Sequence, residues 1–171
     1  FYRLNDPANT PWYPGAVLNA GTVYLGASIV QTNHDVPGDF VVVASRNGTG
    51  LHQFVRDNDL GSTPWSGPTT SYSTTTFQRP SLLQSNFGVP GNLELVVVQP
   101  AGFHHLFRDN SGLWQTGAQP FTDPLRDISM IQSSLGTQGD FDAVAVPSYG
   151  LQHIIRRNDS PSLPWVMGQW F

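Results

Sequence analysis

The stretch Phe54-Val55-Arg56-Asp57-Asn58-Asp59, followed by Pro64-Trp65, decides the fold because it occurs more than once in this chain. The same pattern begins 53 residues earlier, at Phe1, and 100 residues later, at Ile154. A further copy at Leu106 keeps the arginine and the asparagine but reaches its tryptophan three residues early and without the proline. The chain is therefore a tandem repeat.

A second block repeats between these copies. It consists of a Ser-Φ-Φ-Gln segment, where Φ is an apolar residue, and of a Gly-Asp/Asn-Φ segment that begins seven residues after the glutamine. The first segment occupies residues 28–31, 81–84 and 129–132, and the second begins at Gly38, Gly91 and Gly139. Each copy leads into a valine-rich run, so one repeat contains four apolar segments.

The composition predicts that these segments are strands. The apolar runs are short, β-branched or alternating, and bounded by Gly, Pro and Asn. With 17 glycines and 14 prolines among 171 residues, the chain has little room for a long helix. Each repeat of about 50 residues therefore predicts a four-stranded antiparallel β-sheet, the size of a β-propeller blade. One blade cannot bury both of its faces, so neighbouring blades are expected to supply the core.

The strand count predicts an incomplete ring. We expect an all-β chain, a single β-propeller domain over 1–171, with a half blade at 1–18 and full blades at 19–69, 70–118 and 119–171. Known propellers have about 4 to 8 blades, so we expect another chain, a second copy or a missing segment to complete the ring. Because neither an initiator methionine nor a signal peptide precedes Phe1, we expect the chain to start at a processed or cut position.

The charge composition excludes several classes of protein. The chain has no cysteine and no lysine, and its eight arginines face twelve acidic residues, for a net charge of -4. Nucleic-acid binding needs a basic patch, which these residues cannot form. Without cysteine there are no disulfides and no thiol chemistry, and no apolar run approaches the length of a membrane span. The polar composition and the sequons at Asn47 and Asn158 favour a secreted, extracellular protein.

The sequence contains no recognisable catalytic motif. Gly-x-Ser-x-Gly, His-Glu-x-x-His, phosphate-binding loops and calcium loops are all absent. The nearest approach to a metal site is His104-His105, but adjacent residues of a strand point to opposite faces of the sheet. We therefore expect a protein that is not an enzyme and that has no cofactor and no metal.

The recurring arginines, asparagines and tryptophans are the candidate ligand-binding residues. An arginine fork can bind polar ligands through two hydrogen bonds, and an indole can stack on the apolar side of a sugar ring. The alternative is that each tryptophan packs between blades while each arginine pairs with a nearby aspartate, and both interpretations stay open. The set comprises Arg3, Asn5, Trp12, Arg56, Asn58, Trp65, Arg108, Asn110, Trp114, Arg156, Asn158 and Trp165.

The other recurring residues predict architecture. The glycines at 38, 91 and 139 are expected in turns that need a positive φ, with the following Asp or Asn bonding to the backbone. The glutamines at 31, 84 and 132 are expected to bond to neighbouring backbone groups, with ligand contact as the alternative.

Segments 51–58, 64–65, 81–88 and 91–96 resemble the tandem repeats of fungal and bacterial secreted β-propeller proteins. Several groups of such proteins are lectins, so the resemblance implies multivalent, weak carbohydrate binding between blades, with glycans or glycoproteins as partners. The chain lacks the Asp-box of sialidases, the Trp-Asp ending of WD40 blades and the calcium loops of integrin-like lectins. No site of a particular lectin therefore carries over.

Three functions remain open at this stage. The first is a lectin-like carbohydrate-binding propeller. The second is a non-catalytic interaction or structural propeller within a larger secreted protein or assembly. The third is an enzyme whose catalytic residues lie in another part of the ring, which would require unequal repeats with an extra acid pair. No such pair is present, which counts against the enzyme, and the resemblance makes the lectin the favoured expectation over the interaction propeller.

Overall fold

The computed structural model describes residues 14–60, 62, 64–72, 76–109, 111–160, 162 and 164–171. These residues form strands, turns and irregular segments but no helix. The strands are β1 (Tyr24–Gln31), β2 (Phe40–Arg46), β3 (Gly50–Arg56), β4 (Trp65–Tyr72), β5 (Gln78–Gln84), β6 (Leu93–Gln99), β7 (Gly102–Arg108), β8 (Trp114–Thr116), β9 (Leu125–Gln132), β10 (Phe141–Pro147), β11 (Gln152–Arg156) and β12 (Trp165–Trp170).

The strands form three antiparallel sheets, each from four consecutive strands. Sheet 1 contains β1 to β4, sheet 2 contains β5 to β8 and sheet 3 contains β9 to β12, with sequential neighbours paired in every case. The predictions of an all-β chain and of four-stranded antiparallel units are therefore confirmed. The predicted half blade at 1–18 lies mostly outside the described residues, and residues 14–18 form no strand.

The turn between the first two strands of each sheet requires glycine. Gly38, Gly91 and Gly139 all have positive φ, at 85°, 134° and 72°. A Cβ at Gly38 would overlap the carbonyl oxygen of Thr32, and the other two glycines approach the equivalent carbonyl groups of Ser85 and Ser133 as closely. The recurrence of this glycine thus reflects both its backbone conformation and a close backbone contact.

The core consists of two apolar clusters that lie between the sheets. Cluster 1 joins sheet 1 to sheet 2, and cluster 2 joins sheet 2 to sheet 3. Strand β6 serves both, because Leu93, Leu95 and Val97 pack in cluster 1 while Val96 and Val98 pack in cluster 2. Sheet 2 is buried on both faces, as expected for a unit whose neighbours supply its core.

Polar side chains of the first strands connect each sheet to the next. Ser28 Oγ accepts a hydrogen bond of 3.1 Å from Leu82 N, and Ser81 Oγ accepts one of 3.0 Å from Met130 N. These serines are the first residues of two Ser-Φ-Φ-Gln segments. The segment recurs because it holds the first strands of neighbouring sheets side by side.

The glutamines of these segments bond to backbone groups, as one of the two sequence interpretations expected. Gln84 Nε2 donates to Gly91 O in its own sheet, while Gln84 Oε1 accepts from Asn33 N of sheet 1 at 2.7 Å. Gln132 repeats both contacts, with Gly139 O and with Asn86 N of sheet 2. Each of these two side chains closes a turn and joins two sheets.

Candidate functional site

The arginine and tryptophan of each repeat lie directly opposite each other in the sheet. Each arginine ends the third strand, and each tryptophan begins the fourth. The paired positions are Arg56 with Trp65, Arg108 with Trp114 and Arg156 with Trp165. Although Trp114 comes three residues early in the sequence, it occupies the same register as the other two.

At the first interface, between sheets 1 and 2, one glutamine binds both residues of the pair. Gln53 Oε1 of sheet 1 accepts 3.0 Å hydrogen bonds from Arg108 Nη1 and from Trp114 Nε1 of sheet 2. The guanidinium also lies 6.0 Å from the centroid of the Trp114 ring, while the ring packs against cluster 1. Trp114 therefore acts as a packing residue whose N–H is already bonded within the protein.

At the second interface, between sheets 2 and 3, a histidine and a glutamate replace the glutamine. His105 Nε2 and Glu94 Oε2 lie 2.7 Å apart in a buried pair, and Arg156 Nη1 of sheet 3 is 3.9 Å from the same carboxylate oxygen. Trp165 contacts the rings of Phe103 and His105 edge to face. Burial lowers the pKa of Arg156, and Glu94 partly offsets that effect.

Two rings cover the guanidinium of Arg156. Its central carbon lies 5.6 Å from the centroid of Phe87 and 5.0 Å from that of Phe141, and only 9% of the residue is exposed. A cation against aromatic faces is stabilised by the ring quadrupole. Arg156 is therefore enclosed within the interface.

The remaining described arginine–tryptophan pair, Arg56 with Trp65, lies on the face of sheet 1 that points away from sheet 2. The Arg56 guanidinium lies 5.7 Å from the ring centroid of Phe40, and Trp65 lines a cavity of about 300 Å³ together with Phe54 and residues 16–19. Three further candidates, Arg3, Asn5 and Trp12, and the asparagine at 110, lie outside the described residues.

The two described asparagines of the candidate set connect neighbouring loops. Asn58 N donates to Asp39 Oδ1 at 2.9 Å, and the side-chain amide donates to Gly38 O. Asn158 makes the same two contacts with Asp140 and Gly139, and is 4% exposed. These contacts fix the loop after the third strand to the turn before the second.

Residues from both sheets line a polar cleft at the end of the first interface where β2 begins and β3 and β7 end. It measures about 240 Å³ and has an apolar part formed by Val41 and Val55. The rest of its lining carries hydroxyl, imidazole, carboxylate and guanidinium groups, contributed by Thr32, His34, Asp39, Arg108 and Asp109, together with Gly112. Among the described residues of this lining, Arg108 is the one that belongs to the predicted site residues.

Thr32 is the most informative residue of this cleft. It is 2% exposed, and no group among the described residues hydrogen-bonds to its Oγ1. The equivalent hydroxyls are satisfied, because Ser85 Oγ contacts Asn92 O and Ser133 Oγ contacts Asp140 O. A buried hydroxyl without a hydrogen-bond partner is costly and needs an explanation.

Two charged groups of the cleft, Arg108 and Asp109, have pKa values below their ordinary values. Burial lowers the pKa of Arg108, but a guanidinium stays protonated in proteins. Hydrogen bonds from Ser111 hold the pKa of Asp109 below its ordinary value, so this carboxylate is anionic at neutral pH. The cleft thus offers both a permanent cation and an anion.

Repeat analysis missed most of the residues in the cleft. Thr32 and His34 were not candidates, because attention to recurring residues favours positions that are the same in each unit, and the recurring Asp39 was expected only to bond to the backbone of a turn. The available signal was a difference: His34 stands where the next unit has Phe87, and the third has Leu135. A polar residue that replaces an apolar one at a repeat position marks the unit that differs.

The two adjacent histidines point to opposite faces of sheet 2. His105 packs on the side of sheet 3, whereas His104 contacts Phe77, which belongs to cluster 1.

No family model matches the chain, and no curated protein matches it either. Within the described ranges no helix is long and apolar enough to cross a membrane.

Proposed function

We propose that this chain is a carbohydrate-binding, lectin-like β-propeller whose candidate site in the described residues is the cleft at the first interface. The observation that carries the proposal is the buried, unpartnered hydroxyl of Thr32 in a cleft that also contains the Arg108 guanidinium. Glycans or glycoproteins are the proposed partners. The role is binding without catalysis, in a secreted protein.

The lining suits a small hydroxylated ligand. Sugars present hydroxyl groups around an apolar C–H face, and the cleft offers polar groups around Val41 and Val55. Arg108 and Thr32 can donate hydrogen bonds, while the carboxylates of Asp39 and Asp109 can accept them. At about 240 Å³ the cleft lies just below the usual range of drug-sized pockets, about 300 to 1,000 Å³, which favours one sugar residue over a long chain.

The propeller arrangement is part of the proposal. Sheet 1 presents β2 and β3 to sheet 2 through cluster 1, and sheet 2 presents β6 and β7 to sheet 3 through cluster 2. This repeated face-to-face order supports consecutive blades of one ring. Three blades do not make a ring, so another chain or a further segment completes it.

Multivalency in this proposal arises from several copies of the chain in one assembly, because the described interfaces are unequal. Phe87 stands where His34 lines the first cleft, and it packs on Arg156 and Phe141. We therefore assign unequal roles to the two interfaces: the first binds ligand, and the second is filled. Several weak sites on one assembly gain strength when they engage the same glycosylated surface.

The test combines a glycan array with a titration of the best free sugar against the Thr32→Val variant. Valine keeps the shape and removes the hydroxyl, so affinity is expected to fall about 3- to 10-fold, the value of one hydrogen bond, with unchanged or higher stability. Unchanged affinity of the variant, or an array without any bound glycan, contradicts the proposal.

Ser85→Ala is the matched control. It removes the equivalent hydroxyl of the next unit, which contacts Asn92 O and lies 3.3 Å from Glu94 Oε1. This variant is expected to lower the free energy of unfolding and to leave the affinity for the sugar unchanged. A loss of affinity in the control as well would point to a general structural effect.

A non-catalytic interaction module is the second candidate function. The observation that favours it is the outer face of sheet 3, where Ile131, Val144 and Leu151 are exposed by 61%, 39% and 42%. These residues occupy positions that are packed in sheet 2. Co-purification of a stable partner without inhibition by any sugar would favour this function.

A further inference from the structure

The outer face of sheet 3 carries apolar residues at the same repeat positions as the faces of sheets 1 and 2 that form the two interfaces. With an offset of 48 residues, Ile131, Val144 and Leu151 correspond to Leu83, Val96 and Phe103 of sheet 2. The three residues of sheet 2 belong to cluster 2 or pack against it, beneath sheet 3. Sheet 3 therefore exposes an apolar surface at positions that sheet 2 uses for contact with its neighbour.

The polar pair of the second interface also recurs on this face. His153 Nε2 lies 2.8 Å from Asp142 Oδ1, and these residues correspond to His105 and Glu94. The side chains of the pair in sheet 2 are 2% and 3% exposed, whereas those in sheet 3 are 27% and 18% exposed. The same imidazole–carboxylate pair is thus formed but only partly covered.

The second interface shows what covers such a pair. An arginine, Arg156, approaches the carboxylate of Glu94, and a tryptophan, Trp165, packs its ring on His105. In the described ranges Asp142 forms an ion pair with His153 but with no arginine. The face is therefore complementary to a unit that presents a guanidinium beside an indole.

We propose that the outer face of sheet 3, formed by β10 and β11 with Ile131 of β9, is a docking surface for the arginine–tryptophan edge of a second copy of this chain. Each copy carries a further Arg–Trp pair in its sequence, Arg3 and Trp12, ahead of the three sheets and with the same spacing as Arg156 and Trp165. Docking of that pair repeats an interface already formed inside the chain. This inference concerns assembly and does not depend on sugar binding.

Such an interface joins two different surfaces, so it is head to tail. Head-to-tail contacts form closed rings when the rotation permits and open filaments otherwise. In this proposal each copy contributes one acceptor face and one segment that carries Arg3 and Trp12. A variant that lacks one of these elements can still use the other.

The first measurement is native mass spectrometry with sedimentation velocity over a dilution series of the 171-residue chain. We expect species larger than the 18.7 kDa monomer. Val144→Arg places a charge in the centre of the face and is expected to abolish self-association, while Val36→Arg, at a residue 94% exposed in the loop between β1 and β2, leaves it unchanged. A monomer at every concentration, or a Val144→Arg chain that associates like the wild type, overturns the proposal.

The second measurement mixes two variants. Val144→Arg blocks the acceptor face but keeps Arg3 and Trp12, whereas Trp12→Ala keeps the face and removes the indole proposed to dock on it. Each variant alone is expected to be monomeric, and an equimolar mixture is expected to stop at the heterodimer. A mixture that stays monomeric contradicts the head-to-tail arrangement. If Val144→Arg does not fold, as judged by its circular dichroism, Ile131→Arg on the same face replaces it with the same expected outcomes.

Discussion

The first and second interfaces occupy equivalent positions of the repeat but use different polar groups. At the first, the neutral amide oxygen of Gln53 accepts hydrogen bonds from both Arg108 and Trp114. At the second, Glu94 and His105 bind to each other, and no group among the described residues hydrogen-bonds to Trp165 Nε1. Equivalent backbone positions thus accept either an amide or a buried imidazole–carboxylate pair.

The two interfaces also differ at the end where His34 and Phe87 occupy equivalent positions. His34 lines an open cleft at the first, whereas Phe87 at the second packs edge to face on Phe141 and covers Arg156. One aromatic side chain decides whether the arginine faces a cleft or is enclosed. The lesson is that the repeat supplies the frame, while single positions determine where a ligand can enter.

The largest expected effect comes from removing the carboxylate of the second interface. Glu94→Ala leaves His105 without its partner and Arg156 without a nearby anion, in a region from which water is excluded. Breaking one partner of a buried pair costs about 3 to 5 kcal/mol, so the free energy of unfolding should fall by that amount. Urea denaturation followed by tryptophan fluorescence measures it.

The control is a double variant that gives the second interface the two residue types found at the equivalent positions of the first. The double substitution Glu94→Val with His105→Gln introduces the residue types of Val41 and Gln53 at the equivalent positions. The new amide oxygen should accept from Trp165 and Arg156, so the double variant should be more stable than Glu94→Ala. If the two variants are equally unstable, the interfaces are not interchangeable and the comparison fails.

A smaller loss of stability is expected from opening the second interface at the end that Phe87 occupies. Phe87→Ala removes a partly buried ring from Arg156 and Phe141, and should cost about 2 kcal/mol, below the 3 to 5 kcal/mol of a fully buried phenylalanine. The reciprocal His34→Phe should block the first cleft without loss of stability. Thermal unfolding of both variants checks this, and equal destabilisation by the two would show that the clefts do not differ as described.

The elements could be predicted from the sequence because they recur. Repetition identified the four-strand unit, the glycine turns, and the positions where the third strand ends and the fourth begins. The early position of Trp114 suggested a departure from the pattern, yet this residue pairs with Arg108 as Trp165 pairs with Arg156. The shorter connection shows that the loop before the fourth strand absorbs the missing residues.

The candidate site could be predicted only in part, because its identity depends on contacts between different sheets. Arg108 was predicted, but its partner Gln53 lies 55 residues earlier, and no local pattern connects the two. The unpartnered state of Thr32 depends on side chains around it, whereas its replacement by serine in the other units looks conservative in the sequence. Repetition identifies what is common to all units, and a site formed by one exception needs the three-dimensional structure.

The smallest expected effect is a pH dependence of the free energy of unfolding that arises from His104. Burial, and to a lesser degree the neighbouring His105, lowers the pKa of His104 below its ordinary value of 6.5. The unfolded chain therefore binds a proton at higher pH than the folded chain, and this contribution to stability is complete above pH 6.5 and is lost as the pH falls below that value. Replacing His104 by Gln removes this pH-dependent contribution to stability.

Denaturant unfolding between about pH 5 and pH 8, the range in which histidine titrates, measures the slope in the wild type and in His104→Gln. The variant should lose stability less steeply on acidification. Part of the slope should remain, since burial and Arg46 also lower the pKa of His52 in sheet 1. An unchanged slope would mean that the acid sensitivity arises from other groups, and that the side of sheet 2 facing the first interface does not resist protonation.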